Sequence, residues 1–263
     1  MNVFAQEGIT NQENQVDLMR KALSMGCHVV GSAPYCDPNP VENIKIVFDL
    51  AKEFNCPVDF HLDYHLEGKP SYLNDVINET VSRGWQNRVC LGHMTYLSTL
   101  PLSSLQEIGS KLKDAGISIL SLPASDLCMM GRNDDGNKRR GVCPVHHLHN
   151  MGVKAAFATN NVQNLFTFSG DGDVLKVGTL LCHALQLTSE ANANLCLNMA
   201  TTLSANALNV SHSIEVGKPA DLVIIEGNSA MEILAAPSAE RIVIKNGKII
   251  AMSNLNKKLF RPL

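Results

Sequence analysis

His61, Asp63 and His65 occupy alternate positions in the stretch Phe60-His61-Leu62-Asp63-Tyr64-His65, directly behind the apolar run Pro57-Val58-Asp59-Phe60. Side chains alternate along a strand, so two imidazoles and a carboxylate are expected on one face at a strand end. Such groups bind metals and carry protons at neutral pH. A solvated strand end with hydrogen-bonded histidines shows the same letters, so the stretch needs support from its surroundings. Further polar residues supply it: Gln6, His93, Asp126, Asn160 and Asn161 each follow a short apolar run.

The elements that would position these residues are legible from periodicity. Residues 3–5, 27–30, 58–61, 88–91, 117–122 and 153–158 read as strands. Residues 13–25, 41–54, 72–83, 102–115 and 142–151 read as helices, most of them closed by a glycine. Six strand-then-helix units of about 25 to 35 residues indicate a parallel sheet covered by helices. The polar residues collect after the C-terminal ends of the strands, where a barrel assembles its site. An open doubly wound sheet would also bind ligands there, but no glycine-rich phosphate loop follows the first strand. The fold class is therefore α/β, with a barrel favoured.

Beyond Asp173 the pattern turns helical over 174–187 and 195–208. It ends in β segments at 220–225, 241–245 and 248–251 around an Asn246-Gly247 hairpin turn. These strands lack enough partners to make a satisfactory sheet. The 263 residues are 45% hydrophobic and 18% charged, with net charge −3, an ordinary globular balance. That balance offers no electrostatic footprint for nucleic acid or an anionic membrane. The basic cluster Lys138-Arg139-Arg140 reads as a solvated loop. Eight scattered cysteines without a Cys-x-x-Cys pair point to a reducing compartment, and no run reaches transmembrane length, so cytoplasm is the expected location.

Several stretches together carry a family resemblance. They are Phe4-Ala5-Gln6-Glu7-Gly8-Ile9, His61-Leu62-Asp63, Leu91-Gly92-His93, Lys138-Arg139-Arg140-Gly141-Val142 and Ser213-Ile214-Glu215-Val216-Gly217-Lys218-Pro219-Ala220-Asp221-Leu222-Val223. The chain resembles the amidohydrolase superfamily, in the branch that holds cytosine deaminase and N-isopropylammelide hydrolase. The resemblance implies a metal-dependent hydrolase acting on a non-peptide C–N bond of a small cyclic amidine or amide, through water activated by a divalent zinc or iron. It places His61 and Asn160 as metal ligands, His93 beside the attacking water, and Gln6 and Asn161 on the substrate. It also implies that the terminal strands belong to a small β-sandwich.

The chain departs from that pattern in three places. No His-x-His pair follows an early strand; His147-Leu148-His149 matches the letters but lies in a helix, where neighbouring positions diverge. Tyr64 stands where cytosine deaminase has a glutamate, so Asp63 (or Glu67) would have to shuttle protons. Asn160 replaces an aspartate and cannot act as a base. Six units where eight are required imply an incomplete (β/α)8 TIM-type barrel over 1–212, lacking its first two strands, then β-sandwich strands over 213–263. Such a chain is expected to be inactive by itself and not to hold its metal tightly. The alternative is a non-catalytic homologue that binds a small molecule or a partner protein. A small molecule is the expected partner, without nucleic acid or membrane, and homo-oligomerisation is left open.

Lesser features read more plainly. Asp171 to Asp173 suit a helix N-cap. Met129-Met130-Gly131-Arg132 belongs to a long loop after residue 122. His28 and His183 read as core histidines, and Cys36 and Cys143 have no assignable role.

Overall fold

Six short runs rich in Val, Ile, Leu and Phe form one parallel sheet, because helices pack on them and leave the opposite face for the site. The computed structural model describes residues 1–210, 212–256, 258 and 260. Residues 211, 257, 259 and 261–263, which fall within the expected 1–212 and 213–263 segments, lie outside the described residues. Strands β1 (Asn2–Ala5), β2 (Val29–Ser32), β3 (Val58–Leu62), β4 (Val89–His93), β5 (Ser118–Ser121) and β6 (Ala155–Phe157) lie side by side in chain order. All five pairings are parallel. Among the described residues β1 pairs only with β2 and β6 only with β5, so the sheet is an incomplete barrel whose end strands do not meet.

The intervening helices are α1 (Gln15–Ser24), α2 (Pro40–Phe54), α3 (Leu73–Ser82), α4 (Leu102–Asp114), α5 (Pro123–Met129) and α6 (Val145–Asn150). Alternation along β3 decides which side is which. Val58, Phe60 and Leu62 are buried, and Phe60 meets Phe48 of α2 with ring centroids 5.9 Å apart. Removing each such side chain from water contributes about 1.5–3 kcal/mol. His61 then points to the other face, beside Gly92 of β4 in the register.

After β6 come α7 (Val174–Leu185), α8 (Glu190–Met199) and α9 (Thr202–Ala207). The single helix expected over 195–208 is corrected to two, because Thr201 (φ −131°, ψ −99°) leaves helical geometry. The helix expected over 142–151 is shorter, since Pro144 takes the N-cap position of α6. The loop expected after residue 122 begins instead as α5, with Pro123 in its first turn. A proline lacks the N–H that a first turn does not use, which suits it to that place. His28 and His183 are exposed rather than core residues. Asp173 caps α7 as expected, its carboxylate accepting from Leu175 N.

A separate antiparallel sheet follows: β7 (Leu222–Ile225), β8 (Arg241–Lys245) and β9 (Lys248–Ser253), with α10 (Ala230–Ala235) between β7 and β8. Asn246 and Gly247 turn the hairpin with φ of 49° and 74°, a left-handed pair that glycine adopts freely. Arg241 at the start of β8 reaches back to the α7 cap and grips both oxygens of Asp173 at 2.9 and 2.7 Å.

Candidate active site

His61 and His93 meet at the C-terminal ends of β3 and β4. Their adjacent strands bring His93 Nε2 within 3.1 Å of His61 Nδ1, the rings nearly perpendicular at 83°. Gly92 makes the approach possible. A Cβ at that position would stand 3.3 Å from His61 Cδ2 and 3.2 Å from a Leu122 methyl. Gly92 therefore serves close packing, while the turn itself falls on His93 (φ 69°) and Met94 (φ 48°). Left-handed backbone at residues with side chains costs of order 1–3 kcal/mol and collects at functional sites.

Asp126, in the first turn of α5, receives His93 on its other side. His93 Nδ1 lies 2.6 Å from Asp126 Oδ1, and both side chains are buried. The second carboxylate oxygen, Asp126 Oδ2, is buried without a partner, and so is the Tyr64 hydroxyl, whose ring lies 4.8 Å from that of His93. Orphaned buried polar atoms are rare in folded proteins and mark places where water or a ligand supplies the missing bond. Burial holds His61 far below its ordinary value, down to about 3, with His93 adding to the effect, so His61 is neutral. Burial pushes the Asp126 carboxyl up, against the hydrogen bond and charge of His93. Burial also raises the Tyr35 and Tyr64 phenols, which stay protonated donors.

His61, His93, Tyr35 and Tyr64 border a cavity of about 240 Å³, with Asp126 behind His93. Gln6 and Glu7 enter it from the loop after β1, Tyr35 and Cys36 from the turn after β2, and Ser125 and Met129 from α5. Asn160 and Asn161 close it beyond β6 and both donate to Ser125 Oγ, at 3.0 and 3.1 Å. Asn160 adopts φ 57°, a left-handed conformation that asparagine tolerates. The loop bearing Gln6 is anchored from below: the Asp37 carboxylate accepts from Ile9 N at 2.6 Å, Thr10 N at 3.0 Å and Asn43 Nδ2 at 2.9 Å.

Of the residues marked by the sequence, Gln6, His61, His93, Asn160 and Asn161 are brought together at this cavity. Asp63 is not, which corrects its expected place on one face with His61. Strand β3 ends at Leu62, and Asp63 turns aside with φ 47°. Its buried carboxylate instead takes hydrogen bonds from Ser71 Oγ and from Tyr72 N, the latter at 3.1 Å. His65 is buried against Tyr96 with both ring nitrogens unpartnered, away from the cavity. Glu67 is exposed and pairs with Arg139. The residues that sequence reasoning passed over are Ser125 and Tyr35, and Asp126 was marked only as a polar residue after a strand, with no role. The available signal was Pro123-Ala124-Ser125-Asp126 after an apolar strand, which starts a helix and fixes its first-turn side chains at the strand end.

The metal implied by the resemblance does not fit the residues present. No three His, Cys, Asp or Glu side chains converge as a ligand group among the described residues. His93 is committed to Asp126 and His61, and the Asn160 amide to Ser125. One imidazole and one amide oxygen fall short of the three protein ligands that a catalytic zinc takes. His147 and His149 lie on α6, away from the cavity, and offer no substitute pair.

Comparison with known proteins agrees with this architecture. The pattern of the Amidohydrolase family matches residues 7–251. The chain belongs to that family. It is 29% identical over 252 residues to N-isopropylammelide isopropyl amidohydrolase of Pseudomonas sp. (strain ADP), spanning 94% of this chain and 59% of that protein. It is 28% identical over 228 residues to the pterin deaminase of Rhizobium rhizogenes, spanning 86% and 52%. The crystal structure of 5-methylcytosine deaminase from Klebsiella pneumoniae liganded with 5-fluorocytosine superposes with a TM-score of 0.89 at 26% identity. It is matched by 98% of this chain over 64% of its own length. The chain thus spans between about half and two thirds of the length of these relatives.

Proposed function

We propose that this chain carries the substrate-recognising and proton-handling part of a hydrolase that acts on a non-peptide C–N bond of a small cyclic amidine or amide. One observation carries the reading. Three carboxamides, Gln6, Asn160 and Asn161, share a cavity of about 240 Å³ with His61 and with His93, which is held from behind by the buried Asp126. Carboxamides offer donors and acceptors without charge, which suits the edge of a neutral heterocycle. His93, held by Asp126, is the group placed to take or give a proton at the ring. The relatives named for N-isopropylammelide, pterin and 5-methylcytosine support the same substrate class. The barrel segment 1–212 would supply the cavity and segment 213–263 a flanking sheet. No described helix is long and apolar enough to cross a membrane. A small molecule is the proposed partner.

Titration calorimetry with 5-fluorocytosine, N-isopropylammelide and pterin, paired with assays for released ammonia or amine, tests the proposal. Saturable binding of one of them, weakened by Gln6→Ala and Asn161→Ala, is expected. Failure to bind any of them, or binding indifferent to both substitutions, would overturn it. The short metal-ligand set favours a second reading, a homologue that binds without turnover. Saturable binding with no product release is the outcome that selects it.

A further inference from the structure

We propose that Cys182 and Cys196 form an oxidation site, at which a hydroperoxide converts the two thiols into a disulfide joining α7 to α8. The two helices follow each other through residues 186–189 and pack side by side. Cys196 is fully buried at that contact, and Cys182 is half-buried. A Cβ at Gly178, one turn before Cys182 on α7, would stand 3.2 Å from Cys196 Sγ, so the glycine admits the sulfur to the α7 backbone. Cys196 Sγ lies 3.5 Å from Gly178 O, the carbonyl that the Cys182 N–H meets in helical geometry. The two thiols are themselves in hydrogen-bond contact. A disulfide holds its sulfurs about 2.05 Å apart, a distance that side-chain rotation reaches from such a contact.

The two sulfurs differ in access. Cys182 borders a cleft of about 480 Å³ between α7, α8 and α10, and Cys196 lies behind it. The single S–H of Cys196 faces two acceptors, Gly178 O and the Cys182 sulfur. That hydrogen bond holds the Cys182 thiol below its ordinary value, while the same contact and burial push Cys196 up. A thiolate is the nucleophile, so Cys182 reacts first. Its sulfur bonds to one peroxide oxygen, the O–O bond breaks, and the departing oxygen takes the thiol proton and leaves as water or alcohol. Cys182 is then a sulfenic acid. The Cys196 sulfur bonds to the Cys182 sulfur, the S–O bond breaks, and the hydroxide leaves as water with the Cys196 proton. Two thiols lose two electrons in all, and one hydroperoxide gains them. The product ties α7 to α8 beside α10 and closes a loop that constrains the unfolded chain.

The test treats the folded chain at neutral pH with a slight excess of hydrogen peroxide, alkylates the remaining thiols with iodoacetamide and maps the peptides by mass spectrometry. A cross-linked Cys182–Cys196 peptide pair, lighter by two hydrogen atoms and returned to two alkylated peptides by dithiothreitol, is expected. In Cys196→Ala, dimedone should trap a sulfenic acid on Cys182; in Cys182→Ala, Cys196 should stay reduced. Both thiols alkylated after peroxide treatment of the unsubstituted chain, or either one bridged to another cysteine, would overturn the proposal whether or not the variants fold. The same pair formed equally well in urea would mark a chance pairing of loose thiols and would overturn it too.

Discussion

His61 and His93 border a cavity of about 240 Å³ at the strand ends, whereas His146 and His147 border a larger one of about 710 Å³ between α4, α6 and α7. Both places have imidazoles in contact, with ring centroids 4.6 Å apart in the first pair and 4.0 Å in the second. They differ in what stands behind the rings. His93 has a buried carboxylate at 2.6 Å; His146 has a buried Nδ1 with no partner, beside leucines and a proline. Strand ends converge from separate elements and can present a donor, an acceptor and a carboxylate to one point. On α6 the two consecutive imidazoles touch each other, but no carboxylate from another element lines that cavity among the described residues. Size alone therefore does not mark the site; convergence of polar groups does.

The sharpest way to break this contrast is to substitute each pair in turn. His93→Asn is expected to lower turnover, wherever this site is active, by about two or more orders of magnitude, the usual scale for a general acid or base. His147→Ala should leave it unchanged. Equal losses in steady-state assays would end the distinction between the two clefts.

Asp63 offers the next test, because its letters suit catalysis and its contacts suit structure. Asp63→Ala strands the part-buried Ser71 and Tyr72 donors, and should cost about 1–3 kcal/mol in urea unfolding. Ligand affinity at the cavity should not move; a large change there would return Asp63 to the site.

Gly92→Ala should act in the opposite sense. The added methyl crowds the His61 ring, and we expect about tenfold weaker ligand binding by calorimetry, in line with overpacking of a tight core. Undiminished affinity would show that the ring is free to move.

The smallest effect concerns acid. Burial first, then the neighbouring imidazole, lowers His61 to about 3 and His146 to about 4 from an ordinary value of 6.5. Below 6.5 the unfolded chain binds protons that the folded chain refuses, so stability is complete above that value and falls as pH drops toward 4. Replacing His146 with Gln should narrow the difference in urea midpoint between pH 7 and pH 5, without touching ligand binding. A difference as wide as before would mean that His146 is protonated in the folded chain.

Much of this architecture is written in local pattern. Apolar runs of strand length, each followed by a helical period and a glycine stop, determine a parallel α/β sheet, because strand and helix periods differ and each buries one face. Asn246-Gly247 determines a hairpin by turn chemistry alone. The positions of Gln6, His61, His93, Asn160 and Asn161 after strands were enough to bring them to one cavity, since all strands run the same way. The end of β3 was not legible: Asp63 leaves the strand because Ser71 and Tyr72, eight and nine residues on, claim its carboxylate. Asp126 could not be weighed either. Its partner is 33 residues away, and only the placement of the first turn of α5 beside the end of β4 makes the contact. Local sequence carries period, turns and strand direction, which depend on neighbouring residues. Tertiary structure alone decides which carboxylate a buried imidazole meets, because that pairing depends on the approach of segments distant in the chain.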